Sequence, residues 1–279
     1  YLPRSWDEDR SRCQKAGIPD DLHHRPTWKI GIEQIERTMA QGLRFDYVTY
    51  DEEYGKVPEF LYNLDRLGQK AIGEVPRNFR VWVKRPMCKS NRAEHASHRV
   101  DKIVSHSPTF YGQHWRKIVI KDTTRSQCVW HVKSAQVYLV EHKDGKAYCP
   151  VPTDRTYWLV AAHNQHTGEI KYFISNAPVK TNLKALLEIA FSRWQVEKWF
   201  ERAKQECGFG AFEVRTYTSL IRHWLASRLA MYFLASQTTR LRGEKPSDYI
   251  GTSSRCSEHA GVEDMAKAPS FLETESVCV

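Results

Sequence analysis

Several features that would place this chain in a class of proteins are missing from it. Its seven cysteines are scattered, and none lies in the C-x-x-C spacing of a metal-binding pair. Their odd number also argues against the disulfide framework of a small secreted protein, so we expect reduced thiols. The best apolar run, 224–235, is shorter than a membrane span and contains Arg228. Because the chain also lacks a signal peptide and an internal repeat, we expect a globular protein of the cytoplasm that does not enter a membrane.

Acidic residues are outnumbered by basic ones. Lys and Arg total 42 against 33 Asp and Glu, which gives a formal net charge of +9. This excess favours an anionic partner; nucleic acid is the first candidate, although a membrane surface also fits the charge. The 279 residues suffice for one large domain or two smaller ones. The chain starts with Tyr1 instead of Met, and we expect it to be a fragment.

The first part of the chain predicts alternating helices and strands. Residues 1–27 contain three prolines and are expected to be irregular. The next predicted elements are a helix over 28–41, a strand over 45–50, a helix over 58–67 and a strand over 71–75. This alternation predicts that the two strands pair in parallel through a right-handed crossover. Asp51 stands directly after the first of them.

The sequence changes character after residue 76. Short β runs with a turn signal at 164–168 and another at Asp144-Gly145 predict an antiparallel, β-rich insertion over 77–180. Within it, the interval 84–116 is basic and without periodicity, so we expect a mobile loop there.

Two helices are predicted after the insertion. Asn182 should begin one long helix that ends before Gly208, and an apolar helix should follow over about 219–240. Residues 244–279 lose periodicity and are expected to form a disordered tail.

The long helix carries the most informative residues. At 3.6 residues per turn, Arg193, Glu197 and Lys204 fall on one face, with a carboxylate between two cations. Carboxylates are the ligands that Mg²⁺ prefers, and cations suit phosphate. Asp51 at a strand end and Glu197 on a distant helix could therefore hold metal for phosphodiester cleavage. On spacing alone, a turn or cap residue at Asp51 and a surface ion pair at Glu197 are the commoner outcomes.

Four sequence blocks resemble the DDE transposases of bacterial insertion sequences, in that family's order. The resemblance covers residues 1 to about 243 and is closest to the group with a Tyr-Arg-Glu-Lys signature. The blocks are Tyr50-Asp51-Glu52-Glu53-Tyr54-Gly55, Ser175-Asn176-Ala177-Pro178, Arg193-Trp194 with Glu197, Phe200, Ala203-Lys204, Glu206 and Gly208, and Phe212-Glu213-Val214-Arg215.

The resemblance implies an α/β fold, an RNase H-like mixed-sheet core with a β-rich insertion between the second Asp and the Glu. Residues 1–76 and 181–243 would form this core, and 77–180 the insertion. It further implies that Asp51 is the second catalytic Asp and Glu197 the catalytic Glu, both binding Mg²⁺ or Mn²⁺. The implied contacts of Arg193 and Lys204 are to DNA near the cleaved phosphate.

The implied activity is DNA strand cleavage and strand transfer at insertion-sequence ends. Its partners would be transposon-end and target DNA, bound by a homodimer at the bacterial nucleoid. Two departures keep other functions open. The signature Tyr is replaced by Ala190, and no predicted strand before Asp51 could carry the family's first catalytic Asp. A catalytically incomplete remnant that only binds DNA, or a host nuclease of RNase H-like fold, are the alternatives.

Overall fold

The computed structural model describes residues 1–89, 92–120, 128–142, 149–241 and 276–278. The helices are α1 (Arg4–Asp7), α2 (Arg10–Lys15), α3 (Thr27–Ala40), α4 (Glu52–Gly55), α5 (Pro58–Arg66), α6 (Val100–His106), α7 (Pro108–Tyr111), α8 (Leu183–Ser192), α9 (Trp194–Cys207) and α10 (Tyr217–Leu241). The strands are β1 (Tyr47–Tyr50), β2 (Ala71–Val75), β3 (Arg80–Trp82), β4 (Cys88–Lys89), β5 (Arg92–Ala93), β6 (His98–Arg99), β7 (Arg116–Ile120), β8 (Cys128–His142), β9 (Pro150–Pro152), β10 (Tyr157–Asn164), β11 (Ile170–Ser175) and β12 (Ser276–Cys278).

The chain forms two compact units. The sheet unit comprises Gly31–Arg193 with Glu275–Val279, and the helical unit comprises Tyr1–Ile30 with Trp194–Thr274. The boundary falls at Arg193, between α8 and α9.

A mixed sheet organises the sheet unit. Its strands run in the order β12-β1-β2-β11-β10-β8-β3-β6, and β7 and β9 also pair with β8. β1 and β2 are parallel, as the alternation of elements predicted, whereas β2, β11, β10 and β8 pair antiparallel in succession. The mixed α/β fold and the antiparallel, β-rich insertion are therefore confirmed.

Helix α8 covers one face of this sheet. Its residues Leu186, Leu187 and Ala190 are buried against side chains from β1, β2, β11, β10 and β8. Burial of this apolar stripe is what fixes the helix on the sheet, because propensity alone rarely holds a helix of three turns.

The interval 84–116 is not the mobile loop that the sequence predicted. It contains α6 and α7, whose residues Val100, Ile103 and Phe110 are buried. The Nζ of Lys133 on β8 donates to the Phe110 carbonyl at 2.8 Å. Helices of seven and four residues are too short to show helical periodicity in a sequence, and their burial depends on a distant strand.

The predicted long helix is interrupted, so its prediction as one element is wrong. Asn182 caps its start as expected, and Gly208, with φ +60°, follows its end. The break lies at Arg193, between α8 and α9. Just before it, the Ser192 Oγ donates to the Ile189 carbonyl at 2.7 Å. A serine hydroxyl that takes up a helix carbonyl in this way bends or weakens the helix locally.

The helical unit contains a small N-terminal core. Residues 1–27 were expected to be irregular, but they form α1 and α2 with Leu2, Cys13 and Ile18 buried together. Asp9 caps α2 by accepting from the Arg12 amide at 2.9 Å. Short polar-rich helices of this kind are fixed by caps and by a few apolar contacts rather than by a long stripe.

Helix α10 was predicted to be apolar, and it exposes much of that surface. Leu229, Tyr232 and Phe233 are 59%, 74% and 60% exposed. Among the described helices, α10 included, none combines the length and apolar character that a bilayer crossing requires. Of the tail predicted to be disordered, 244–275 and 279 lie outside the described residues, and β12 pairs in parallel with β1.

Candidate active site

Asp51 is positioned by the end of a buried strand. All four residues of β1 are buried, and Asp51 follows them directly with an extended backbone. Its Oδ1 accepts from the amides of Glu53 at 3.0 Å and Tyr54 at 3.3 Å, which makes it the N-cap of α4. Both bonds use Oδ1, so Oδ2 is the oxygen through which this carboxylate would bind a metal.

Two glycines hold the Asp51 turn against the neighbouring strand. A Cβ at Gly55 in α4 would lie 1.8 Å from the Glu74 carbonyl oxygen of β2. A Cβ at Gly73 would lie 2.0 Å from the ring of Tyr50, the residue before Asp51. Both contacts are possible only without a side chain, so the glycines set how closely β1 and α4 approach β2.

A second carboxylate lies at the same edge of the sheet. Tyr50 pairs with Gly73, so Asp51 and Glu74 are the next residues on their parallel strands. Glu74 is bound by the Nζ of Lys171 at 3.0 and 3.2 Å. Glu74 is not among the residues predicted from the sequence, although an acid near the end of the strand parallel to β1 was a usable signal.

Helix α8 ends at this edge as well. Its Phe191 packs against Phe173, which pairs with Glu74 across β11 and β2. Phe191 also packs against Trp130, which pairs with Asn164, the last residue of β10. Since β10 and β2 are both antiparallel to β11, they run the same way, and their C-terminal ends share the edge of Asp51. Arg193, the C-cap of α8, therefore lies at that edge.

Glu197 and Lys204 lie on α9 in the helical unit. Together with Phe200, Glu201 and Gln205 they line an open groove of about 600 Å³. The prediction that Glu197 and Lys204 share one helix face is confirmed. Arg193, placed on this face by the sequence analysis, instead precedes α9 and belongs to the sheet unit.

Glu201, one of the acids on the α9 face, has a partner within the helix. The Nζ of Lys198 donates to Glu201 at 2.8 Å. This hydrogen bond is the main reason why the pKa of Glu201 lies below its usual value. Glu201 is thus committed to an ion pair within the helix.

The structure explains the two departures from the family's pattern, which are Ala190 in place of the signature Tyr and the missing first catalytic Asp. Ala190, which stands at the position of the signature Tyr, is 7% exposed in the core under α8, where a phenol would need room that the packing does not leave. Residues 1–46, all of them described, contain no strand. The early acid Asp7 is instead bonded to Arg10 and His23 at 3.0 Å each.

The donor chemistry of these residues suits a hard divalent cation. Asp51 and Glu197 offer carboxylate oxygens, which Mg²⁺ and Mn²⁺ accept together with water and phosphate. Within the part of the chain that the structure describes, no three His, Cys, Asp or Glu side chains form a ready-made metal cluster.

Comparison with known proteins identifies the first part of the chain. Residues 1–135 match the model of a family described as DDE superfamily endonuclease. The matched segment includes β1, Asp51, α4 and β2, and it ends within β8. A search of curated proteins found no match.

Proposed function

We propose that the chain, whose residues 1–135 match the model of a family described as DDE superfamily endonuclease, cleaves and joins DNA at the ends of a bacterial insertion sequence. The observation that carries the proposal is the setting of Asp51. It lies inside the matched segment, at the end of a buried parallel strand, with one carboxylate oxygen fixed by α4. An acid in this place is held rigidly, as a metal ligand must be.

We further propose that Asp51 and Glu197 are ligands of one Mg²⁺ or Mn²⁺ site. Both residues stand in sequence blocks that resemble the DDE transposases, and this shared resemblance supports the pairing. A divalent ion held there would stabilise charge on the attacking and leaving oxygens of the phosphodiester.

Arg193 and Lys204 would bind the DNA rather than take part in the chemistry. A guanidinium forms paired hydrogen bonds to phosphate, and a lysine contributes a compact charge. The net charge of +9 supports such a partner through counterion release. The protein would act as a homodimer on transposon-end and target DNA in the bacterial cytoplasm.

A second function is favoured by a specific observation. Residues 1–46 place no carboxylate at a strand end, so the first acid of the family's triad has no counterpart there. A protein with an incomplete triad could bind the same DNA without cutting it. The third candidate, a host nuclease of the same fold, would be distinguished by the absence of inverted repeats beside its gene.

Iron-directed cleavage of the polypeptide tests the proposed metal site. Fe²⁺ can take the place of Mg²⁺, and with ascorbate and peroxide it cuts the protein backbone next to where it is bound. We expect cuts near residue 51 and near residues 193–197, both suppressed by excess Mg²⁺ and by Asp51→Asn. The matched control is Glu52→Gln, an exposed acid beside Asp51, which should leave the pattern unchanged. Cuts that persist in Asp51→Asn would refute the site.

A further inference from the structure

We propose that Trp130, Phe173 and Phe191 form an aromatic clamp that positions the end of α8, and that Phe191 is a positioning residue for Arg193. The inference rests on the function proposed above. The clamp would hold Arg193, the C-cap of α8, at the edge of the sheet where Asp51 lies.

The clamp consists of two buried rings and one ring laid across them. Trp130 on β8 and Phe173 on β11 are each 3% exposed. The Phe191 ring lies 4.7 Å from Trp130 and 5.5 Å from Phe173, with interplanar angles of 32° and 70°. Offset and edge-on arrangements at these distances are favourable for aromatic pairs. One side chain of α8 is thereby tied to two strands at once.

The last turn of α8 is the part of the helix that places Arg193. The Ser192 hydroxyl bonds to the Ile189 carbonyl in that turn, and α8 ends at Ser192 with Arg193 as its C-cap. Phe191 is the last α8 residue packed on the core, two positions before Arg193.

The neighbouring core residue cannot replace the clamp. Ala190 is buried in the same turn, but a methyl group makes few contacts with the sheet. Trp130 Nε1 has no hydrogen-bond partner among the described residues, so the shape of the packing holds that indole in place. Loss of the Phe191 ring would therefore remove the aromatic contacts of the last turn of α8 and leave that turn held by the aliphatic side chains of Ile189 and Ala190.

An ordinary core residue offers the control. Leu183 packs against the same core from the first turn of α8, at the end remote from Arg193. Leu183→Ala and Phe191→Ala both remove apolar contact from one helix. If Phe191 served stability alone, the two variants would behave alike once their melting temperatures are matched.

Iron-directed cleavage of the polypeptide distinguishes a positioning role of Phe191 from a role in stability alone, and it does not require DNA cleavage. In Phe191→Ala, the cut near residue 51 should persist while the cut near Arg193 falls several-fold; Leu183→Ala should keep the wild-type ratio of the two cuts. Phe191→Leu fills more of the space than Phe191→Ala, so its ratio of the two cuts should lie between those of Phe191→Ala and Leu183→Ala. This variant provides the test if Phe191→Ala does not fold. A ratio in the Phe191 variants equal to that of Leu183→Ala would overturn the positioning role. Failure of the proposed function would look different, because the wild-type chain would then show no cut that depends on Asp51.

Discussion

At the scale of single residues, Asp51 serves two purposes that one substitution can separate. As the N-cap of α4 it accepts two amide bonds through Oδ1, and as a proposed ligand it would use Oδ2. Asparagine caps helices about as well as aspartate but carries no charge. Asp51 therefore caps a helix, as an acid after a strand commonly does. This structural role is compatible with the proposed metal binding.

We predict that Asp51→Asn preserves stability and removes metal binding, whereas Asp51→Ala loses both. The alanine variant should be destabilised by about 1 kcal/mol, the usual loss for a helix cap. Urea unfolding measures the first effect and iron-directed cleavage the second. If Asp51→Asn lost as much stability as Asp51→Ala, the carboxylate would be stabilising α4 through its charge.

The close packing of α4 against β2 depends on Gly55. An added Cβ would meet the Glu74 carbonyl at 1.8 Å, and a backbone oxygen cannot move away cheaply. We predict that Gly55→Ala lowers the free energy of unfolding by roughly 1–3 kcal/mol, the range for overpacked sites. Gly112→Ala is the control, since its Cβ would lie 3.3 Å from the nearest atom, at a normal φ of −73°. Equal losses in urea unfolding of both variants would show that α4 can shift.

At the scale of elements, the N-terminal core should respond to acid through Asp7. The amide of His24 is the main cause that holds the pKa of Asp7 below its ordinary value of 3.8, and His23 and Arg10 add to it. A depressed pKa means that Asp7 stabilises the fold above that ordinary value, and the contribution is lost as the pH falls through the folded-state pKa.

We predict that Asp7→Asn loosens this core at neutral pH and has little effect at the lowest pH at which the protein remains folded. The buried thiol of Cys13 reports the loosening through its rate of reaction with a dipyridyl disulfide, a reagent that also reacts with thiols in acid, measured at each pH. Asp20→Asn is the control, because Asp20 is 85% exposed and 4.0 Å from Arg10. The same effect of Asp7→Asn at every pH would contradict an electrostatic cause.

Local signals determined how much of the fold could be predicted from the sequence. β2 has the predicted bounds, and α5 differs by one residue, because periodicity, Pro58 and Gly68 are local features. The helix α6 was missed because its burial depends on contacts that a short sequence window does not contain. The break at Arg193 was missed because it coincides with a hydroxyl bond, which no propensity scale records.

In the candidate site, too, the features that depend on local spacing could be predicted and those that depend on distant contacts could not. Asp51 at a strand end and the shared face of Glu197 and Lys204 follow from spacing, and the structure has both. The nearness of Glu74, and the arrival of α8 at the same edge, depend on strand register, which the sequence does not reveal.

At the scale of the whole molecule, the net charge of +9 should make DNA binding depend on salt. We predict that Lys204→Gln weakens binding to all sequences alike and flattens the plot of log affinity against log salt by about one phosphate contact. Lys198→Gln is the matched control on the same helix, because Lys198 pairs with Glu201 and does not line the groove. If the slope stayed unchanged in Lys204→Gln, Lys204 would be an ordinary surface cation.

The last prediction concerns catalysis by the 279-residue chain. With only Asp51 and Glu197 as ligands, one Mg²⁺ can bind weakly, because its waters tolerate a sparse protein shell. Stabilisation of both the attacking and the leaving oxygen calls for a second ion and a further carboxylate. The purified chain should therefore bind DNA yet nick it poorly with Mg²⁺ or Mn²⁺.

A longer chain, in which an added upstream strand supplies an acid, should nick DNA. It should lose this activity on Glu197→Gln and keep it on Glu206→Gln, a control on the same helix. Strong nicking by the 279-residue chain, abolished by Asp51→Asn, would show that one of its own carboxylates completes the site. Glu74 would then be the first to replace, since strand register places it beside Asp51 and its ion pair with Lys171 would have to open.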